Sequence, residues 1–545
     1  PEEMRKDAEK DAEKLVKYAD NKKALQETVD SSRNTRYLLF DDDQEKNFQH
    51  LLYILDGIAS AEHGRFTDPE KATKRWSGTT ISIRVSEERY GALIDTALKR
   101  LGSFIVRVFI LDDAKCAAQT LLAEHPLYDL IRGKSEQSLR EGSVTIRFTV
   151  ISAGNTPLAG WLLREAYWLG TFAYQKLRIK IDLISPAAEE IKNALRMEAP
   201  VMFGELPEEK GISSVEFLKN NCALSSLEDY RLMGYINRGK TTVDTFDYYV
   251  VDAGDDVSNL NLAIRLREWD IRDRVRNGRA LQSQGQPTIA FYCREPDIAY
   301  LAENMAVQSI DHGSSWYNNY NLIPFGLLPE RYSWDNIDGG YWERVAESTQ
   351  LQYCGVAPDA DDSTKNANLV DYFARTYNRD SSMAVALYLP YRMFQLRTEL
   401  AEHIVCEERF CSTAPEEKNI RLGRSLAEQF RAALEKADKS ATDGLARAEH
   451  ARWVRWAYSR GWEPAVPEQV LAYMKAGNPK QQLYIARLHG CLCSSEELAV
   501  LAQRMLSVLD PDDDRQPHEK DWQRFAGDRK ARMYRVNEGE RGVNC

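Results

Sequence analysis

From about residue 79 the chain alternates short apolar runs with amphipathic stretches. Thr80-Ile81-Ser82-Ile83-Arg84-Val85 predicts a strand, and the spacing of apolar positions from Glu87 to Leu101 predicts a helix. Phe104 to Ile110 reads as a second strand, interrupted by Arg107, and Ala114 to about Ile131 as a second helix. Val144 to Ile151 is rich in β-branched residues and predicts a third strand; a helix follows over Trp161 to Leu169, then a strand over Leu177 to Ile184. Later, Tyr248 to Val251 precedes a helix carrying Asn259, Asn261 and Ala263, and Thr288 to Tyr292 forms another strand. Strand–helix alternation implies parallel strands joined by helical crossovers. The expected fold class is therefore α/β, with a Rossmann-like parallel sheet.

Outside this region the pattern changes. The first 30 residues place Met4, Ala8, Ala12, Leu15, Val16 and Ala19 among many Lys, Asp and Glu, and predict an exposed helix. That helix suits equally a connection to a preceding part of the protein, such as a membrane-embedded one, and a frayed terminal helix with no role. Between about 310 and 425, Ile323-Pro324-Phe325-Gly326 leads to a turn, with helices from about Asp335, about Leu369 and Met383 to Leu400.

The length of 545 residues implies two to four domains, and 43% hydrophobic with 28% charged residues is a globular composition. A net charge of -11 argues against a nucleic-acid polymer as partner, while leaving room for a local basic pocket. No run reaches the length of a membrane span, and nine scattered cysteines suit a reducing, cytoplasmic compartment. His403-x-x-Cys406-x4-Cys411 lacks the second half of a metal site. Asp359-x-Asp361-Asp362 lacks the glycine and distal glutamate of a calcium loop. Asp255 and Asp256 suit a helix cap better than a Mg²⁺ pair. No metal is expected.

Two places carry candidate binding chemistry. Ser152-Ala153-Gly154-Asn155-Thr156-Pro157-Leu158-Ala159 joins a strand to a helix, the arrangement in which backbone N–H groups hold a phosphate. Against the dinucleotide pattern G-x-G-x-x-[GA], Gly154 and Ala159 fit, but Thr156 stands where the middle glycine belongs. Ser185 replaces the acidic residue expected to hold a ribose. Gly154, Asn155, Thr156, Ser185 and Asp252 are the cofactor-binding candidates, with NAD or another nucleotide as the candidate cofactor. The second place is Ala448 to Trp462, where His450, three arginines and three tryptophans crowd a helix. At helical spacing His450, Trp453 and Ala457 share one stripe, and Arg452, Trp456 and Arg460 the next. Indole and guanidinium planes side by side suit a flat anionic ligand, or arginines stacked on tryptophans at a domain interface.

The run Glu449-His450-x-Arg452-Trp453, then Gly461-Trp462, then Leu488-His489 and Leu492, resembles the RyR domain of ryanodine receptors and of some bacterial proteins. It departs after Trp462, where Glu463-Pro464 replaces the usual continuation. Residues from about 144 to 300, with Asp252-Ala253-Gly254-Asp255-Asp256 before an Asn-rich helix, resemble the TrkA-N regulatory nucleotide-binding domains of potassium channels and transporters. Together the resemblances imply a helical linker over 1–75, a small α/β subdomain over 76–140, a TrkA-N-like domain over 141–310, a connector over 311–425 and a mainly α-helical RyR-like domain over 426–545. They imply a non-catalytic, homo-oligomeric, cytoplasmic sensor of a nucleotide-derived small molecule, linked to a membrane or antiphage-defence effector. Arg452, Trp453, Trp456, Trp462, His489 and His450 would form its ligand pocket. The alternatives are an NAD(P)-dependent enzyme using His312 or His450 as general base, and an oligomerisation scaffold.

Overall fold

The computed structural model describes residues 35–63, 76–101, 106–203, 212–219, 245–277, 286–305, 320–396, 430–464 and 486–492, apart from isolated positions within these ranges. His312, His403, Cys406 and Cys411 lie outside the described residues.

Two parallel sheets organise the chain. The smaller consists of β1 (Arg36–Leu39), β2 (Thr80–Arg84) and β3 (Arg107–Leu111), side by side in that order. Its strands are linked by α1 (Gln44–His63) and α2 (Glu87–Leu98), and α3 (Asp113–Glu124) follows β3. Alternation decides what each face meets. Ile81, Ile83, Val108 and Ile110 join Leu51, Ile54 and Ile58 of α1 and Ile94 of α2. On the other face Ser82 Oγ donates 2.7 Å to the Ile337 carbonyl, and Phe109 meets Phe373 edge-on at 5.9 Å. Both faces are covered, as parallel sheets require. β1 falls inside residues 1–75, expected to be a helical linker, so the sheet begins earlier than the pattern indicated. Four residues, followed by Phe40 and then three aspartates, are too short a run for a period of two to show.

The larger sheet is built from β4 (Thr145–Ser152), β5 (Arg178–Ser185), β6 (Ile212–Lys219), β7 (Thr245–Asp252), β8 (Thr288–Tyr292) and β9 (Leu322–Phe325). All its neighbours pair in parallel and the spatial order is β6-β5-β4-β7-β8-β9. The chain winds outward from β4, returns to the centre at β7 and winds outward the other way. This is the doubly wound Rossmann order, with its switch point between β4 and β7. The sixth strand lies in the stretch assigned to the connector. Pro324 sits in it without penalty because β9 is an edge strand, where one missing N–H faces no neighbour.

One face of the larger sheet (Ile146, Phe148, Val150, Ile181, Leu183, Val250) packs under α4 (Pro157–Leu169). Helix α5 (Ala188–Glu198), which follows β5, joins the same face through Ile191 and Leu195. The other face, through Tyr249, Val251, Ile289 and Phe291, packs on α6 (Asp256–Arg276) and α7 (Pro296–Met305). Helix α4 is apolar almost all round, and Leu158 to Leu169 are buried except Gly160. The sheet covers one side of it, and α3 and the C-terminal helix described below cover the rest. Helices α8 (Gly340–Tyr353), α9 (Asp362–Phe373) and α10 (Thr376–Gln395) then pack together, and α11 (Lys439–Ser459) lies on α4. A two-stranded parallel pair, Glu463–Pro464 with Leu488–His489, follows α11. Among the described residues no helix is long and apolar enough to cross a membrane.

Candidate ligand-binding crevice

In open α/β sheets ligands bind outside the carboxyl ends of the strands at the switch point. There β4 ends at Ser152, which is in register with Asp252, the last residue of β7. The Ala153 N–H donates 3.0 Å to the Asp252 carbonyl, tying the two loops together. Ser152 Oγ donates 2.9 Å to the Gly154 carbonyl and folds the turn back on itself. Thr156 is the N-cap of α4: its Oγ1 accepts from the Ala159 N–H at 3.2 Å and donates to Asp252 Oδ2 at 2.5 Å. Pro157 occupies the first helical turn, where its missing N–H costs nothing.

Above this floor there is room. A side chain added at Gly154 would meet nothing within 4 Å, and the same holds for Gly254 at φ +121° on the opposite lip. Ala153, Asn155 and Gly254 are exposed, whereas Ser152, Ser185 and Asp252 are buried. Burial pushes the Asp252 carboxyl up, and the Thr156 hydrogen bond only partly offsets it. Asp255 caps α6 by accepting from the Ser258 N–H at 2.9 Å, and Asp256 accepts from the N–H groups of Arg294 and Glu295, both at 2.9 Å. Asn259 holds the second lip: its side-chain oxygen takes the Ala253 N–H, and its Nδ2 donates 2.8 Å to the Tyr292 carbonyl. The Ser185 hydroxyl accepts from the Ala187 N–H at 3.1 Å, so it serves its own turn. The crevice thus brings Gly154, Asn155, Thr156 and Asp252 together. Its chemistry is hydroxyl, carboxylate and backbone N–H, with Arg294 at the end of β8 as the nearby cation.

The C-terminal candidates are arranged differently. Arg452 is buried, grips Glu449 through Nε at 3.1 Å and Nη2 at 2.7 Å, and lies 5.7 Å from the Trp168 ring and 5.6 Å from the Tyr388 ring. Burial opposes ionisation of Glu449, but Arg452 and Arg392 outweigh it and hold that carboxyl below its usual range. Trp456 and Trp462 are buried against Tyr377, at 5.5 and 4.8 Å. His450 and Trp453 are half-buried, with ring centroids 6.2 Å apart. Arg455 Nη1 donates 2.9 Å to Thr171 Oγ1, just beyond the end of α4. The side chain of His489 lies outside the described residues. Arg452, Trp456 and Trp462 therefore face the junction of α11 with α4 and α10, not the crevice.

A third cluster was not visible in the linear sequence. Lys115 Nζ donates 2.7 Å to both oxygens of Glu87 and to Asp380 Oδ1. Arg460 Nη2 donates 2.8 Å to Glu165 Oε1 and lies 4.6 Å from the Trp161 ring. These residues come from distant parts of the chain. One trace in the sequence is the pair Arg164-Glu165 inside an otherwise apolar helix, whereas Arg379-Asp380 stands among polar residues and carries no such signal. Among the described residues no group of three or more His, Cys, Asp or Glu is placed to hold a metal ion.

Fold and crevice together define a doubly wound α/β protein with an accessible switch-point crevice. Comparison with protein-family models, with curated proteins and with solved structures yields no match to this chain.

Proposed function

We propose that this protein is a regulatory module that binds a nucleotide-derived small molecule at the β4–β7 crevice and passes the event to its C-terminal helical region. The observation that carries this reading is the position of α4. Its N-terminus, capped by Thr156, floors the crevice, and its remaining turns carry Trp161, Glu165 and Trp168, on which α11 is seated. A ligand that re-forms the Thr156 turn acts directly on the helix that holds the C-terminal region. Such a ligand shifts the balance between two seatings, provided it prefers one of them.

In this reading the RyR-like segment over residues 426–545 receives the signal, and Arg452, Trp456 and Trp462 set its seat. The output passes to a linked effector, membrane-embedded or of the antiphage-defence type, through a homo-oligomer. The test is a thermal-shift and calorimetric screen of the full chain against NAD, NADP, ADP-ribose and linear and cyclic nucleotides. A ligand at 100 times its Kd adds about 2.7 kcal/mol, a readable shift. Binding by one of them, lost in Gly154→Val, supports the proposal. Absence of binding by any overturns it, and turnover of a pyridine nucleotide replaces it with the enzyme reading.

A further inference from the structure

Beneath the seat of α11 lies a chain of buried charges from five elements. Glu87 opens α2, Lys115 is on α3, Asp380 on α10, Glu165 on α4, and Arg460 directly follows α11. Glu87, Lys115, Asp380 and Glu165 are buried and Arg460 nearly so. Read along the contacts, the order is Glu87, Lys115, Asp380, Arg460, Glu165: acid, base, acid, base, acid. Three carboxylates alternate with two cations, so the fully ionised chain carries one excess negative charge in a site shielded from water. Isolated buried charge of that kind is expensive, and the least costly remedy is a proton.

Geometry says where the proton sits. Glu87 and Asp380 both contact one ammonium at 2.7 Å, which puts their oxygens within twice that distance of each other. Asp380 has a second cation, Arg460 Nε at 3.7 Å, whereas the direct ion pair of Glu87 is with Lys115, Arg379 and Arg460 acting on it at longer range. The Glu87 backbone N–H donates 2.9 Å to Asp112.

We propose that Glu87 and Asp380 share one proton at and below neutral pH, and that its loss loosens the seat of α11 on α4. This makes the junction a proton-linked clamp, independent of what occupies the crevice. The remaining charged neighbours fit the assignment. Arg379 attracts both Glu343 and Glu87 but is balanced by Glu343, its ion-pair partner at 3.7 Å, so the two leave the net charge of the chain unchanged; Arg164 is paired with Glu88 and Glu198. Burial, then the Asp380 charge, push the Glu87 carboxyl up to about 7. Burial opposes the charge on Asp380, but Lys115 and Arg460 outweigh it and hold that carboxyl at about 2.

The sign follows. A carboxyl raised in the folded state contributes stability that is complete below its unfolded value and is lost as pH rises through its folded value. Melting temperature should therefore fall as pH climbs from about 5 to about 8. Glu347, which burial also pushes up to about 7, titrates in the same window, so the readout is the difference between wild type and Glu87→Gln. The expected result is that Glu87→Gln binds about one proton fewer on folding at pH 6. In wild type alone, the amide protection factors of residues 444–459, corrected for the base-catalysed intrinsic rate, should fall above pH 7. An unchanged pH slope in Glu87→Gln overturns the proposal. Should that variant fail to fold, the infrared carboxylic-acid band of wild type decides. A buried protonated carboxyl shifted by Asp380→Asn supports the clamp, and no such shift overturns it.

Discussion

Thr156 Oγ1 donates a 2.5 Å hydrogen bond to Asp252 Oδ2 across the switch point, from the first turn of α4 to the end of β7. The same oxygen caps the helix through the Ala159 N–H, so one hydroxyl fixes both the start of the helix and the buried acid. Thr156→Val keeps the shape and removes both bonds. Loss of the cap costs about 1 kcal/mol, and stranding the buried Asp252 oxygen about 1–3 more. Urea denaturation should report about 2–4 kcal/mol, with the m-value unchanged.

Asp252 itself sets the electrostatics of the crevice. Because burial raises its carboxyl, the stability it contributes is complete below the unfolded carboxylate range and is lost as pH rises through its folded value. Ionised, it repels a phosphate a few ångströms away by about 1–4 kcal/mol, depending on screening. Asp252→Asn should therefore tighten binding of a pyrophosphate-bearing ligand about fivefold or more at pH 7.5 and flatten the pH dependence of its Kd. Unchanged affinity, measured by calorimetry at pH 5.5 and 7.5, would place the phosphates elsewhere.

Much of this crevice was legible in the sequence because parallel α/β units write themselves locally. Tyr248–Val251 is apolar on both faces and Val144–Ile151 is rich in β-branched residues, whereas the helix read from Trp161 starts one turn earlier, at Pro157. Asp255 was legible as a cap and accepts the N–H of Ser258, whereas Asp361, read only as part of an acidic run without the marks of a calcium loop, caps α9 by accepting the Thr364 N–H. Register and partnership were not. Nothing in Arg36–Leu39 says that it pairs with Thr80–Arg84, because four residues carry no period. The helix read from Ala114 to Ile131 ends as an α-helix at Glu124, two residues before Pro126, and resumes as a 3₁₀ turn over Leu127–Ile131. The aromatic–Arg stripe of α11 was legible as unusual, but its counterpart was not. Trp168 and Tyr388 lie far from it in sequence, and a flat ligand and a flat tryptophan ask for the same side chains.

The Glu449–Arg452 pair allows those two demands to be separated by stability. Removing one partner of a buried, hydrogen-bonded ion pair costs about 3–5 kcal/mol, whereas replacing both with apolar residues of similar volume is often near neutral. Arg452→Ala should thus destabilise the chain by about 3–5 kcal/mol. Glu449→Leu with Arg452→Met should recover most of that loss, since Trp168 and Tyr388 still offer an apolar slot. Chemical denaturation of the two singles and the double closes the cycle. A double variant as unstable as the singles would show that the arginine–aromatic stack, rather than charge pairing, supports the helix.

Gly461 ends the same helix and tests the seat at its other edge. Its φ of +76° lies in the left-handed region, and a side chain there would collide with the carbonyl oxygen of Glu198, the last residue of α5. The guanidinium of Arg487 also closes in, donating 3.1 Å to the Arg460 carbonyl, while the Glu463 N–H bonds the Arg487 carbonyl at 2.9 Å. Conformational strain alone costs a non-glycine residue about 1–3 kcal/mol here, and the obstacle is backbone, which cannot swing aside. Gly461→Ala should lower stability by at least about 2 kcal/mol. The damage should be local: amide exchange should quicken over residues 444–464 and in α5, while β4 and β7 at the centre of the sheet keep their protection. Equal loss of protection in β4 would mean that the C-terminal helix and the sheet unfold as one unit, leaving no separable seat for a signal to move.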